Sequence, residues 1–580
     1  MERRVLIAIF LSFLVLYSYQ ALFVKPAPPK PATVATGSPA ATPGQAPTGP
    51  DASQTPSAPL AVPAAPPAGV TAVVGDTEER NIQIETAHVL AVFTNRGARL
   101  KSWRLKQYRD AHGEPLELVA TDLAATHPLP FSLRVPDEAM TGSLNGGLYT
   151  VRGAPTGSGA ITTPTDLVFE YQDTTGLHAT KAFRVDPETY TVALRVAVSQ
   201  GDRAIQPAIV WGPGLGDSDA QAGRYAVKPG GLYSAAGKVS RLASSAITKQ
   251  PGYEQDFEYV GIDDHYFTSI AFKPSRAKVT YQHVAVPPPA GSKDPARDLI
   301  AYSIEPARTD QPITFYVGPK DFDSLAVIDR NLVKAINFGM FSIIVVPLLR
   351  SLNWIHGYVG NYGWAILILT VFINLILFPL NHKSVVSMRK MQEIQPETKA
   401  IQERYAKLKA TDPARQKMNQ ELMALYRERG VNPASGCVPI LLTLPVFLAF
   451  YSLLTTAIQL RGAPFFGWIH DLSQPDPYYV MPILVGISQL VTQWMTPQAG
   501  VDPTQQKMMM IMPIVLIFVF VSTPSGALIY WLVSNVWRLG QQYLTNYLIG
   551  PPNIRTIRPA AERRVKRVGA GKTDGAAREK

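Results

Sequence analysis

Polar side chains recur at helical spacing inside segments that are otherwise apolar. Thr370 and Asn374 lie four residues apart, Gln489 and Gln493 do the same, and Tyr530, Trp531, Ser534 and Asn535 repeat the pattern near the end of the chain. Residues four apart share one face of a helix. The set consists of amides, hydroxyls and aromatic rings, without an acid or a base. It suits hydrogen bonding to a polar chain or to water rather than proton transfer or nucleophilic attack. Two readings fit each amide: interhelical bonding that glues spans together, or the lining of a hydrated cleft, since polar groups in hydrocarbon are costly and tend to mark a functional path. Polar residues on three separate segments favour the cleft.

The elements that must position these residues are membrane spans. Five apolar segments, 361–380, 437–459, 479–496, 508–523 and 526–548, follow one another toward the C-terminal end of the chain. A span needs about 20 apolar residues for a hydrocarbon core of roughly 30 Å. Val5 to Val24 makes one more, preceded by Arg3 and Arg4, and reads as an uncleaved N-terminal anchor starting in the cytosol. Loop charge sets the orientation. The loop 383–435 carries eleven Lys and Arg residues, the loop 460–478 only Arg461, and the tail after residue 549 carries nine. Basic loops stay in the cytosol, so six spans with both termini inside are expected. The formal charge of +11 is therefore read as topology rather than as recognition of a nucleic-acid sequence.

The basic loop is predicted to be a helical hairpin with an apolar seam through Met388, Met391, Ile394, Ile401, Tyr405 and Leu408, broken at Thr411-Asp412-Pro413. Arg389 and Lys390 beside the methionines make it a candidate contact surface, with Met-rich faces able to adapt to different partners. Packing of the two helices against each other accounts for most of these methionines equally well.

Upstream of the spans, residues 25–70 are rich in Pro, Ala, Thr and Gly and read as an extended linker. Residues 71–320 alternate apolar and polar positions in short runs such as Tyr190-Thr191-Val192-Ala193-Leu194-Arg195-Val196, which predicts an antiparallel β-sandwich. That domain carries no HExxH, GxSxG or P-loop, and its histidines (His88, His112, His127, His178, His265, His283) lack metal-ligand spacing. No enzyme, cofactor or metal is expected. The single cysteine, Cys437, excludes an internal disulfide. Residues 321–350 are expected to form an amphipathic helix on the outer membrane boundary, because the apolar run from Phe338 to Leu349 is short and contains Pro347. A seventh span there would upset the charge pattern of the loops.

Several ordered motifs carry a resemblance. They include Asn361-Tyr362-Gly363-Trp364, Phe378-Pro379-Leu380, Val431-Asn432-Pro433, Gly436-Cys437-Val438-Pro439, Trp468-Ile469-His470-Asp471-Leu472, Pro524-Ser525-Gly526 and Val533-Ser534-Asn535. Upstream, Asn95-Arg96-Gly97-Ala98 and Trp211-Gly212-Pro213-Gly214 belong with them. The chain resembles the YidC membrane protein insertase family in its Gram-negative form, with a sandwich similar to that of galactose mutarotases. The resemblance implies a core of five transmembrane helices at 351–548. It also implies a groove open to cytosol and lipid, nascent membrane proteins as clients, and work alone or beside the Sec translocon. Ribosome contact through the basic tail and hairpin would fit. Trp531 matches a groove aromatic of the family, and Thr370 and Gln493 match polar groove positions. In one respect the chain departs from the family, which typically places an arginine five residues before the proline of the first core span. Here that residue is Asn374, and the nearest base in the spans, Arg538, sits near the inner end of the last one. A small-solute transporter or channel is the alternative class; it would favour internal inverted repeats, and the sequence shows none.

Overall fold

The structure is a computed structural model describing residues 71–110, 112–155, 159–216, 228–288, 296–308, 311–405, 414–431, 438–495 and 503–550. The expected N-terminal anchor, linker and basic tail lie outside the described residues, as does the expected break at Thr411-Asp412-Pro413.

Residues 72–319 form two packed sheets. Among the described residues, a 14-stranded sheet runs antiparallel throughout and a four-stranded sheet covers part of it. Period-two alternation fixes which residues face inward. In Leu177–Val185, for example, Leu177, Ala179, Lys181, Phe183 and Val185 are buried and the residues between them are not. Phe93 of the small sheet lies 5.0 Å from Phe183 of the large one, and Trp103 Nε1 donates to Val317 O at 2.9 Å. Two helices, α1 (Glu138–Gly146) and α2 (Ser244–Lys249), pack at the margins of the sheets.

The motif turns of the sandwich are structural. At Gly97 (φ +69°) a Cβ would stand 2.4 Å from Asn145 O, and at Gly212 it would stand 2.1 Å from Pro128 O, so no side chain fits either place. The carbonyls of Gly97 and Ala98, with that of Phe131, accept hydrogen bonds from the fully buried Lys181 Nζ at 2.6, 3.2 and 2.8 Å.

The segment after the sandwich is not the single helix expected over 321–350. It divides into α3 (Phe322–Ile328), two short 3-10 turns (Leu332–Ala335 and Gly339–Phe341) and α4 (Ser342–Val359). Asp329 ends α3 by accepting the Asn331 amide at 2.9 Å, and Gly339 turns the chain at φ +69°. The helix continues ten residues past Leu349, so Gly339–Val359 has the length and mean hydropathy of a span. Its ends place it otherwise. At the N-terminal end, Phe338 O accepts from Ser452 Oγ at 3.1 Å; at the other, His356 stacks on Tyr362 at 3.7 Å, where the next helix starts. Both ends of α4 therefore sit at the sandwich end of the bundle. The helix lies across that end, with Val345, Leu349, Leu352 and Ile355 turned into the protein.

The bundle consists of α5 (Tyr362–Glu393), α8 (Val438–Thr456), α9 (Val480–Met495), α10 (Pro503–Phe520) and α11 (Ser525–Ile549), with α6 (Gln395–Arg404) and α7 (Ala414–Glu428) as a hairpin at its far end. Asn361 caps α5 by accepting the Trp364 amide. At 32 residues, α5 is about 48 Å long; its last turns therefore extend beyond a bilayer core into what was expected to be the hairpin's first helix. Pro396 near the start of α6 fits the break at Ile394. The arms of the hairpin are joined by Tyr405 to Glu421 (2.8 Å) and Arg429 to Glu397 (2.7 Å).

A polar seam between three helices

Four of the polar residues singled out in the sequence meet one another across helices, as Asn374 with Ser534 and Trp531 with Gln489. Asn374 on α5 and Ser534 on α11 meet, with Asn374 Nδ2 3.4 Å from Ser534 Oγ. Asn535, the next residue on α11, turns toward α9 and donates from Nδ2 to Ser488 Oγ at 2.9 Å. Trp531 Nε1 points at Gln489 Oε1 at 3.4 Å. α11 is thus the shared wall, with α5 on one side and α9 on the other. Thr370 and Asn374 also bond their own helix, to Ile366 O (2.6 Å) and Thr370 O (2.8 Å). Such i to i−4 bonds supply a partner to a polar group inside an apolar span.

The seam is largely enclosed. Thr370, Asn374, Tyr530, Ser534 and Asn535 are buried, while Gln489, Gln493 and Trp531 are half-buried. Tyr530 stacks on Phe450 of α8 at 4.3 Å, and Trp531 is gripped edge-on by Phe447 of α8 and Phe520 of α10, both at 4.7 Å. Among the described residues, Gln493 Nε2 and Asn535 Oδ1 have no hydrogen-bond partner. A buried polar atom left so costs about 1–3 kcal/mol, which makes these two atoms receptive to any donor or acceptor that enters.

The sandwich end of the bundle is closed. The loop 461–479 folds onto the turn between α10 and α11. Ser525 donates from both its amide and its hydroxyl to Gln474 O (2.8 and 2.9 Å), and the Gly526 amide reaches Leu472 O (2.9 Å). Asp476, almost fully buried, gathers the Tyr478 and Met481 amides and Trp468 Nε1 at 2.6–3.0 Å. The same loop holds the start of α5, since Asn361 Nδ2 donates to Pro464 O at 3.0 Å and Gly363 leaves no room for a Cβ beside Phe465. The sandwich seats on this end through His265 Nε2 and Thr455 O (2.7 Å), Gln459 Nε2 and Asp321 Oδ1 (2.7 Å), and Arg461 over the rings of Tyr266 and Phe267 (5.4 and 5.1 Å).

At the other end the candidate contact residues separate. Met388 and Met391 are half-buried and Lys390 is exposed. Arg389 is not a surface base: it is 6% exposed and donates from Nη2 to Gly550 O just beyond α11. That bond and the pairing of His382 with Thr545 (3.2 Å) tie the ends of α5 and α11 together. Sequence reasoning missed Ser488, the partner of Asn535, although Ser488 and Thr492 repeat the four-residue spacing beside the glutamines. The aromatic clamp of Phe447, Phe450 and Phe520 carried no such signal, because phenylalanine is ordinary in a span.

Residues 354–550 match the family described as 60Kd inner membrane protein, and residues 81–351 match the YidC periplasmic domain. A protein of Syntrophus aciditrophicus named membrane protein insertase YidC is 33% identical over 566 residues, covering 94% of this chain and 99% of its own. One of the same name from Citrifermentans bemidjiense is 35% identical over 573 residues, again covering 94% and 99%. A solved structure titled active YidC insertase, with its first transmembrane domain resolved, covers 83% of this chain and 95% of its own at 20% identity and a TM-score of 0.34; at that score the sequence relatives decide the assignment. Related along nearly its whole length, the chain belongs to the YidC family of membrane protein insertases, non-enzymatic proteins of the inner membrane that carry a periplasmic β-sandwich domain.

Proposed function

We propose that the seam is the path by which this insertase receives the polar part of a client. A charged or unpaired polar group crossing hydrocarbon costs several kcal/mol. Asn374, Gln489 and Gln493, with Thr370, Tyr530, Trp531, Ser534 and Asn535, would replace the lost water with hydrogen bonds while the client's apolar segment moves out against lipid. The observation that carries this reading is that polar side chains of three helices meet below an end sealed by the loop 461–479. A path sealed there opens toward the hairpin, which suits a protein that takes clients from the cytosol and suits a solute channel poorly. With Asn374 where the resemblance leads one to expect an arginine, capture relies on hydrogen bonding rather than on a fixed charge in α5.

The topology we infer has six spans with both termini cytoplasmic, α5 and α8 to α11 forming the five-helix core and Val5 to Val24 the sixth span. The exposed Lys390 and the other bases of the hairpin, together with the nine bases after residue 549, would meet the ribosome electrostatically, without reading a nucleic-acid sequence. Cooperation with the Sec translocon belongs to the same reading.

The test is the triple variant Asn374→Leu, Gln489→Leu, Gln493→Leu. It should lose client insertion in a strain depleted of the native insertase while accumulating in the membrane with an unchanged melting profile. Full insertion by this variant would refute the seam as the path. Photocrosslinkers at positions 374 and 531 should capture a stalled nascent chain.

A further inference from the structure

Away from the seam, the segment joining the sandwich to the bundle encloses a second recess. α3, the turn Leu332–Ala335 and α4 border an open cleft of about 690 Å³, lined by Phe322, Asp323, Val327, Arg330, Val333 and Arg350. Its polar groups are unevenly matched. Asp323 accepts from Asn353 Nδ2 at 3.4 Å. The Arg350 guanidinium stands 5.2 Å over the Phe322 ring. Both Arg330 and Arg350 are exposed, and among the described residues neither forms an ion pair. Two guanidiniums against one carboxylate leave a net positive charge in a recess whose other walls are apolar.

The surroundings are apolar too. Val327 is 80% exposed, Met340 71% and Ile343 84%. Trp354 and Tyr358, on the outer side of α4, are likewise exposed and touch each other edge-on at 4.9 Å. Exposed aromatics and aliphatics on a helix lying across one end of a membrane bundle place that surface at headgroup level. A soluble phosphate would find the charge but gain nothing from Val327, Met340 and Ile343, whereas a lipid uses both.

We propose that this cleft is a binding site for an anionic bilayer phospholipid. Its phosphodiester would sit between Arg330 and Arg350, where guanidinium forks match phosphate oxygens, and its chains would lie along the apolar surface of the same segment. The inference rests on the placement of α4 at the membrane boundary and is independent of the polar seam. A lipid held there would join α3, which follows the sandwich, to α4, which braces the bundle.

Native mass spectrometry of the full chain in detergent, titrated with phosphatidylglycerol, tests it. Arg330→Gln with Arg350→Gln should weaken binding roughly tenfold to thirtyfold, as expected for two basic contacts. Asp323→Asn keeps both guanidiniums and should tighten binding about threefold; weaker binding would overturn the proposed charge balance. Equal lipid retention by the double glutamine variant overturns the site. So does displacement of the lipid by glycerol 3-phosphate at matching concentration, which would identify a soluble phosphate as the ligand. The triple leucine variant of the seam should bind the lipid as the wild type does, so failure of one proposal leaves the other standing.

Discussion

The sandwich and the bundle both bury polar side chains, and they settle them differently. In the sandwich, buried lysine and asparagine side chains find mostly backbone partners, several to each side chain. Lys181 donates to three carbonyls, Asn145 binds both the amide and the carbonyl of Leu133, and Asn95 links Arg80 N, Glu78 O and Asp76. In the seam the interhelical partners are other side chains, one apiece, at 2.9–3.4 Å. A backbone carbonyl in a sheet cannot turn away, whereas a serine hydroxyl or a glutamine amide can. The sandwich therefore spends its buried polarity on a single arrangement, and the bundle keeps polarity that a passing chain can borrow.

Removing one polar group from each region should separate them most clearly. Lys181→Met keeps the approximate shape and leaves three buried carbonyls without their donor. At about 1–3 kcal/mol for each such group, the sandwich should lose about 3 kcal/mol or more, seen as a drop of roughly 6–12 °C in the thermal unfolding of the full chain. The paired change Asn535→Leu with Ser488→Ala removes donor and acceptor together. Side-chain bonds between membrane helices average only about 0.6 kcal/mol, so stability should move by less than about 1 kcal/mol while client insertion falls. If the two variants melted alike, the contrast would be wrong.

The sequence revealed these two regions unequally. Period-two alternation and turn signals were enough for the sandwich, and the four-residue spacing of polar residues was enough to bring α5, α9 and α11 together, because each pattern reflects one face of one element. What depended on a distant partner stayed hidden. Lys181 sits at an inward position of its strand, but nothing local says that the Gly97 turn will be waiting with carbonyls. Arg389 looks like any base in a basic loop until Gly550, 161 residues further on, accepts its hydrogen bond. The course of α4 was hidden for the same reason: its composition permits a span, and only the contacts of its two ends, with Ser452 and Tyr362, lay it across the bundle.

The two regions also separate by pH. Burial, with Arg99 adding repulsion, holds the Lys181 ammonium well below its ordinary value of 10.5. Between the folded value and 10.5 the unfolded chain binds a proton that the folded chain does not, so stability rises with pH through that window and is lowest beneath it. The buried phenols act in the opposite sense: burial raises Tyr149 and Tyr302, so above about pH 10 the unfolded chain releases protons that the folded chain keeps, and stability falls. A titration kept between pH 7 and 9.5 isolates the lysine. There the unfolding of the sandwich should shift upward with pH, and Lys181→Met should flatten that slope. The triple leucine variant of the seam should leave it unchanged, because the residues it replaces do not titrate. A slope that survives in Lys181→Met would assign the pH dependence to another group, and a wild type without a slope would mean that the buried ammonium is stabilised by its three carbonyls as fully as by water.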